Sequence, residues 1–198
     1  MKNLLKKIAI LSIVMFLFGC SKDSPTTTPA ACTPITCLNG GVSRPDCGCN
    51  CPQGYTGSNC GIQITPLQVL ITKIRVTKFP DTNAGSWWDT LPNSDADIYV
   101  TIQNSSSTTL YSSPTYIQDA TSNGVNYYDF VPSTPIVFSN VTSGYMMNLY
   151  DYDTVGSNQL MDFNAFYLYN SSGGFPTTKT YTNSTGTFSF TLTLSYVW

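Results

Sequence analysis

"TFSFTLTLSYVW", residues 187–198, alternates without a fault: Phe188, Phe190, Leu192, Leu194 and Tyr196 are apolar, and the residues between them are Ser or Thr. Successive side chains of an extended chain point to opposite faces, so this stretch reads as a strand with one buried and one wet face. Upstream, "VLITKIRVTKF" (69–79), "DIYVTIQ" (97–103), "TPIVFSNV" (134–141) and "GYMMNLYDYD" (144–153) read as further strands. "TLYSSPTYI" (109–117) and "FNAFYLYN" (163–170) follow the pattern more loosely. Clusters of Gly, Pro, Asn and Ser separate them, no stretch has a helical apolar period, and no internal repeat is evident. The expectation is a mainly β chain, with an antiparallel two-sheet β-sandwich over residues 62–198.

The charge content is sparse and one-sided. Eleven aspartates stand against nine cations, and there is neither glutamate nor histidine. Three of the cations, Lys2, Lys6 and Lys7, precede the apolar run "IAILSIVMFLF", too short to span a bilayer and arranged as a signal peptide over residues 1–19. The run ends in "LFGC", which resembles the lipobox of bacterial lipoproteins with Cys20 as the acylated residue. That resemblance implies a chain anchored in the bacterial outer membrane through lipid at Cys20. Ser21 after the cysteine favours outer-membrane sorting, and Lys22 and Asp23 resemble a surface-export signal. Residues 20–31, "CSKDSPTTTPAA", are polar and proline-punctuated, as in an extended flexible tether. Beyond the signal, six cations face eleven aspartates, a formal charge of −5. No nucleic acid partner is expected of so acidic a chain.

Cys32, Cys37, Cys47, Cys49, Cys51 and Cys60 fall within 29 residues, and no cysteine follows them. An even, local set outside the cytoplasm implies a disulfide framework, because so short a segment cannot bury enough apolar surface to hold itself together. Spacing alone leaves fifteen pairings open. A thiolate metal cluster is the rival reading, disfavoured by an oxidising compartment and the lack of histidine. "CLNGG" and "CPQGYTGSNC" resemble the epidermal growth factor (EGF)-like family, so residues 32–61 are expected to form a small EGF-like module. The resemblance implies Cys32 with Cys47, Cys37 with Cys49, and Cys51 with Cys60. In the residues themselves, Gly54 and Gly57 permit a tight turn around Tyr55.

Aspartates concentrate at strand ends. Asp151 and Asp153, two apart where "LYDYD" leaves its strand, point the same way; Asp95 and Asp97 repeat the arrangement in "NSDADIYV", and Asp89 lies upstream in the same loop. If both loops share one end of the sandwich, the carboxylates converge and repel unless a cation neutralises them. Calcium suits such a hard-oxygen set. The plainer reading is turn chemistry, since Asp side chains bond nearby backbone amides. Here the chain resembles the C-two (C2) domain family of calcium- and phospholipid-binding sandwiches, over most of residues 67–198. "DTLPNSDADIYV" and "NLYDYDTVGSNQLMDF" look like the first and third calcium loops. The resemblance implies Asp89, Asp95, Asp151 and Asp153 as ligands, with Asp97, an insertion relative to the family, competing with Asp95. The last acidic ligand of the family falls at neutral Asn158 or Gln159, which speaks against a second calcium.

Trp87 and Trp88 precede Asp89. On an extended chain they face opposite ways, so one can anchor the core while the other meets a sugar or an apolar partner; alternatively both are packed. Asn-x-Ser/Thr sequons at Asn104, Asn140, Asn170 and Asn183 read as coincidental in so polar a chain. No enzyme is expected: without histidine no Ser–His or Cys–His pair exists, and only two aspartates of the glycosidase kind remain. The favoured expectation is a lipid-anchored, non-catalytic binding or adhesion module, calcium-dependent, for an unknown protein, glycan or lipid ligand. Its rivals are a structural subunit of an envelope assembly and a carbohydrate-binding module.

Overall fold

The computed structural model describes residues 32–89 and 95–198, so the signal segment, Cys20 and the tether lie outside the described residues. Residues 35–198 form one compact unit. Its first part carries four two-residue strands, β1 (Val42–Ser43), β2 (Cys49–Asn50), β3 (Tyr55–Thr56) and β4 (Ile62–Gln63), paired β1–β2 and β3–β4. Ladders this short do not hold a fold. Cys37–Cys49 and Cys51–Cys60 staple them, both pairs being those implied by the EGF resemblance, and Cys32 and Cys47 are disulfide-bonded as well.

The remaining strands are β5 (Gln68–Lys78), β6 (Ala96–Asn104), β7 (Thr109–Ser112), β8 (Ile117–Ala120), β9 (Tyr128–Phe130), β10 (Ile136–Phe138), β11 (Gly144–Asp151), β12 (Gln159–Tyr167), β13 (Thr178–Thr182) and β14 (Ser189–Val197). The described residues contain no helix. One sheet runs β10-β5-β14-β13, with β9 also on β5; the other runs β12-β11-β6-β7, with β8 also on β6. Every pairing is antiparallel. The mainly β, two-sheet sandwich expected from the alternation is the architecture observed.

β14 contributes Leu192, Phe190 and Leu194 to the core, and β5 contributes Val69, Ile71, Ile74 and Val76. The step from Ile71 to Ile74 breaks the two-residue period. Thr193 pairs with Lys73 and Leu194 with Ile71, so Thr72 is an extra residue, and this bulge returns the apolar side chains to the core face. The facing sheet supplies Ile98, Val100 and Ile102 from β6 and Tyr145, Met147 and Leu149 from β11.

Two expected spans need correction, and two sandwich strands, β9 and β13, were not expected. "TLYSSPTYI" is two strands, because Pro114 lacks the N–H that a continuous ladder requires. "FNAFYLYN" begins earlier, at Gln159, with Met161 as a bulge opposite the Leu149/Tyr150 step of its partner; Asp162 thus lies within β12, where its carboxylate accepts from Asn183 Nδ2 and Thr187 Oγ1. β13, five residues of "TKTYT", is a strand that the sequence reading does not include.

The cysteine module sits at the end of the sandwich where β5 begins and β12 and β14 end. Gln63 Nε2 donates to Asn170 O at 2.8 Å, and Leu67 N donates to Val197 O at 2.8 Å. Phe175 lies at the centre of this seam, with ring centroids 5.2 Å from Tyr55 and 4.5 Å from Trp198.

Candidate metal centre at the distal pole

At the other end, the inward row of β11 runs Tyr145, Met147, Leu149, Asp151. The register that buries three apolar side chains buries the fourth, a carboxylate, and Asp151 has no accessible surface. One oxygen, Oδ1, accepts the backbone N–H of Asp97 at 2.8 Å. The other, Oδ2, is buried with no hydrogen-bond partner among the described residues. Desolvation, reinforced by the charges of Asp89, Asp153 and Asp97, pushes the Asp151 carboxyl up to about 6.

Asp89 and Asp153 complete the group: one carboxylate oxygen from each of Asp89, Asp151 and Asp153 lies within 4.8 Å of the others. Asp89 is positioned by its neighbour. Trp88 is only 6% exposed, and its Nε1 donates to Pro80 O at 2.8 Å, fixing the chain between β5 and Asp89. Of the two arrangements expected, one anchored and one exposed or both packed, the first is observed: Trp88 is buried as a core anchor and Trp87, 48% exposed, stays on the surface. Asp153 is held by the turn after β11, where its N–H donates to Asn158 Oδ1 at 3.2 Å and its Oδ2 accepts from Gln159 Nε2 at 3.4 Å.

Asp95 and Asp97 separate. Asp97 feels the charges of Asp89 and Asp153, but its Oδ1 accepts the backbone N–H of Asp119 at 3.0 Å. Asp95 feels Asp81 and Asp119 instead and is not one of the three grouped carboxylates. Burial raises the carboxyls of both. Of the five aspartates expected to converge, the fold brings together Asp89, Asp151 and Asp153, leaves Asp97 alongside and sets Asp95 apart. Sequence reasoning missed Asp81 and Asp119. Asp81 directly follows "KFP", a strand-exit position that signals it; Asp119 lies in the four-residue β8, too short to show a period, and carries no such signal.

The group passes a test of fit for a divalent cation. Calcium–oxygen distances of about 2.3–2.6 Å place two ligands of one ion up to about 5 Å apart. The observed separation falls inside that limit, and a buried carboxylate oxygen lacking any partner needs a positive one.

Comparison with family models finds no match, and neither does comparison with curated proteins. Among solved structures, human GIVD cytosolic phospholipase A2 in complex with an inhibitor and terbium chloride aligns with a TM-score of 0.44 at 17% identity over 67% of this chain. The alignment spans only 18% of the phospholipase. A C2 domain aligns with a TM-score of 0.38 at 15% identity, covering 65% of this chain and 97% of the domain. A domain of the same C2 type from plant extended synaptotagmin 1 gives 0.35 at 15%, covering 68% and 97%.

Proposed function

We propose that this protein is a non-catalytic binding or adhesion module, lipid-anchored through Cys20 at the bacterial outer membrane, whose distal pole is organised by calcium. The observation that carries the reading is Asp151 Oδ2, an ionisable oxygen taken out of water at the end of a core row and given no partner among the described residues. An isolated buried carboxylate is costly, and a sequence that keeps one beside two more gains from a cation there. Asp89, Asp151 and Asp153 would hold the ion, with Asp97 adding negative potential beside it. Bound calcium would supply positive charge and rigidity, tying the segment after β5 to the turn after β11. The cysteine module supports the anchoring side of the reading, since its seam with the sandwich holds the acidic pole at the far end.

The test is calorimetric titration of calcium chloride into the full chain, with melting temperature followed in parallel. Expected are saturable heat and a rise in melting temperature, both lost in Asp151→Asn and Asp153→Asn. No heat and no rise in the wild type would overturn the calcium reading. Anchoring is checked separately, by whether Cys20→Ala moves the protein out of the membrane fraction.

A further inference from the structure

On the outer face of the second sheet, next to the acidic pole, tyrosines gather. Tyr116 and Tyr152 stack with centroids 4.3 Å apart and planes 12° from parallel, and Tyr99 stacks on Tyr150 at 5.1 Å and 16°. Tyr99, Tyr116 and Tyr152 line a cleft of about 180 Å³ with Ser113, Pro114 and Thr115, and it adjoins a depression of about 420 Å³ that shares Pro114, Thr115, Tyr116 and Tyr152. Among the described residues, no charged side chain lines either. We propose that this tyrosine cleft is a binding site for a neutral sugar ring of a glycan.

The lining chemistry selects the ligand. Aromatic faces and a proline give flat apolar surface, which suits the C–H face of a pyranose. Hydroxyl groups beside them match sugar hydroxyls: Ser113 Oγ accepts from Val100 N at 3.2 Å, which leaves its own proton to donate. Electrostatics narrows the choice further. Asp97, Asp119, Asp151 and Asp153 border this end of the sheet, so phosphorylated or acidic ligands are repelled while neutral ones are not. The cleft is also held in shape from the acidic side, because Asn158 Nδ2 donates to Tyr99 OH at 3.0 Å while Asn158 Oδ1 accepts the N–H of Asp153. The inference rests on the binding-module reading, but not on the ion.

The experiment is calorimetric titration of the full chain with soluble hexasaccharides of β-1,4-linked glucose, β-1,4-linked N-acetylglucosamine and α-1,4-linked glucose, with a proline-rich decapeptide as rival, in calcium and in chelator. Saturable binding of at least one sugar is expected. Tyr116→Ala should weaken it about tenfold, equivalent to about 1.4 kcal/mol, and Tyr116→Phe should leave it within about threefold. Thr115→Arg, at an exposed position, should block the cleft without removing any packing. No saturable sugar binding, unchanged binding in Tyr116→Ala and Thr115→Arg, or tighter binding of the peptide than of every sugar would each overturn the proposal. Sugar binding without any calcium response would overturn only the calcium reading; a calcium response without sugar binding would overturn only this one.

Discussion

Asp151 occupies a position that its strand otherwise gives to apolar side chains, and its protonation is tied to stability. Unfolded, an aspartate titrates near 3.9; folded, Asp151 titrates at about 6. Between roughly pH 4 and pH 6 the folded state keeps a proton that the unfolded state has released, so stability falls as pH rises through this window. Above it the loss levels off at a cost on the order of 2–3 kcal/mol. Asp95 and Asp97 shift in the same direction. In chelator, the melting temperature should therefore be higher at pH 5 than at pH 7.5, Asp151→Asn should flatten the difference, and calcium at pH 7.5 should recover it. Thermal melts at the two pH values check all three. Asp151 and Asp153 were legible as neighbours on one face because a strand's period is fixed. The division of labour between Asp95 and Asp97 was not, because it depends on where the N–H of Asp119, twenty-two residues onward, comes to rest.

Among the elements, β5, β6, β11 and β14 were legible because each is a run of eight or more residues rich in β-branched, aromatic and other apolar side chains and bounded by turn residues. β9, which the sequence reading does not include, has three residues, too few to show a period, and exists because it adds ladder bonds to β5; β10 is read from "TPIVFSNV", of which only Ile136–Phe138 pair with β5. The tyrosine cleft was illegible for a related reason: Tyr116 and Tyr152 come from segments that meet only once β8 and β11 both pair with β6. Gly54 shows how firmly two elements can be joined. Its φ is +90°, and a Cβ there would lie 2.5 Å from the Phe175 ring and 2.6 Å from the Trp198 ring. Gly54→Ala should cost about 1–3 kcal/mol, from backbone strain and overpacking together. It should also loosen the seam, seen as faster proteolysis within residues 35–64 while the sandwich resists.

For the whole molecule, the decisive feature is polarity. The cysteine module meets the sandwich where β5 begins, and the acidic group lies beyond where β5 ends, eleven residues or roughly 35 Å along the strand. Sites so far apart without shared contacts act independently. The double variant Cys51→Ser/Cys60→Ser should therefore lose order in the module yet keep a calcium dissociation constant within about twofold of wild type, checked by the same titration. A shift well beyond that would mean the two ends communicate.

The β5–β14 ladder has a mechanical consequence as well. A pull between the N-terminal side of Gln68 and a target gripped at the far pole acts along the strand axis, so the nine register pairs that tie β5 to β14 resist together instead of opening one after another like a zip.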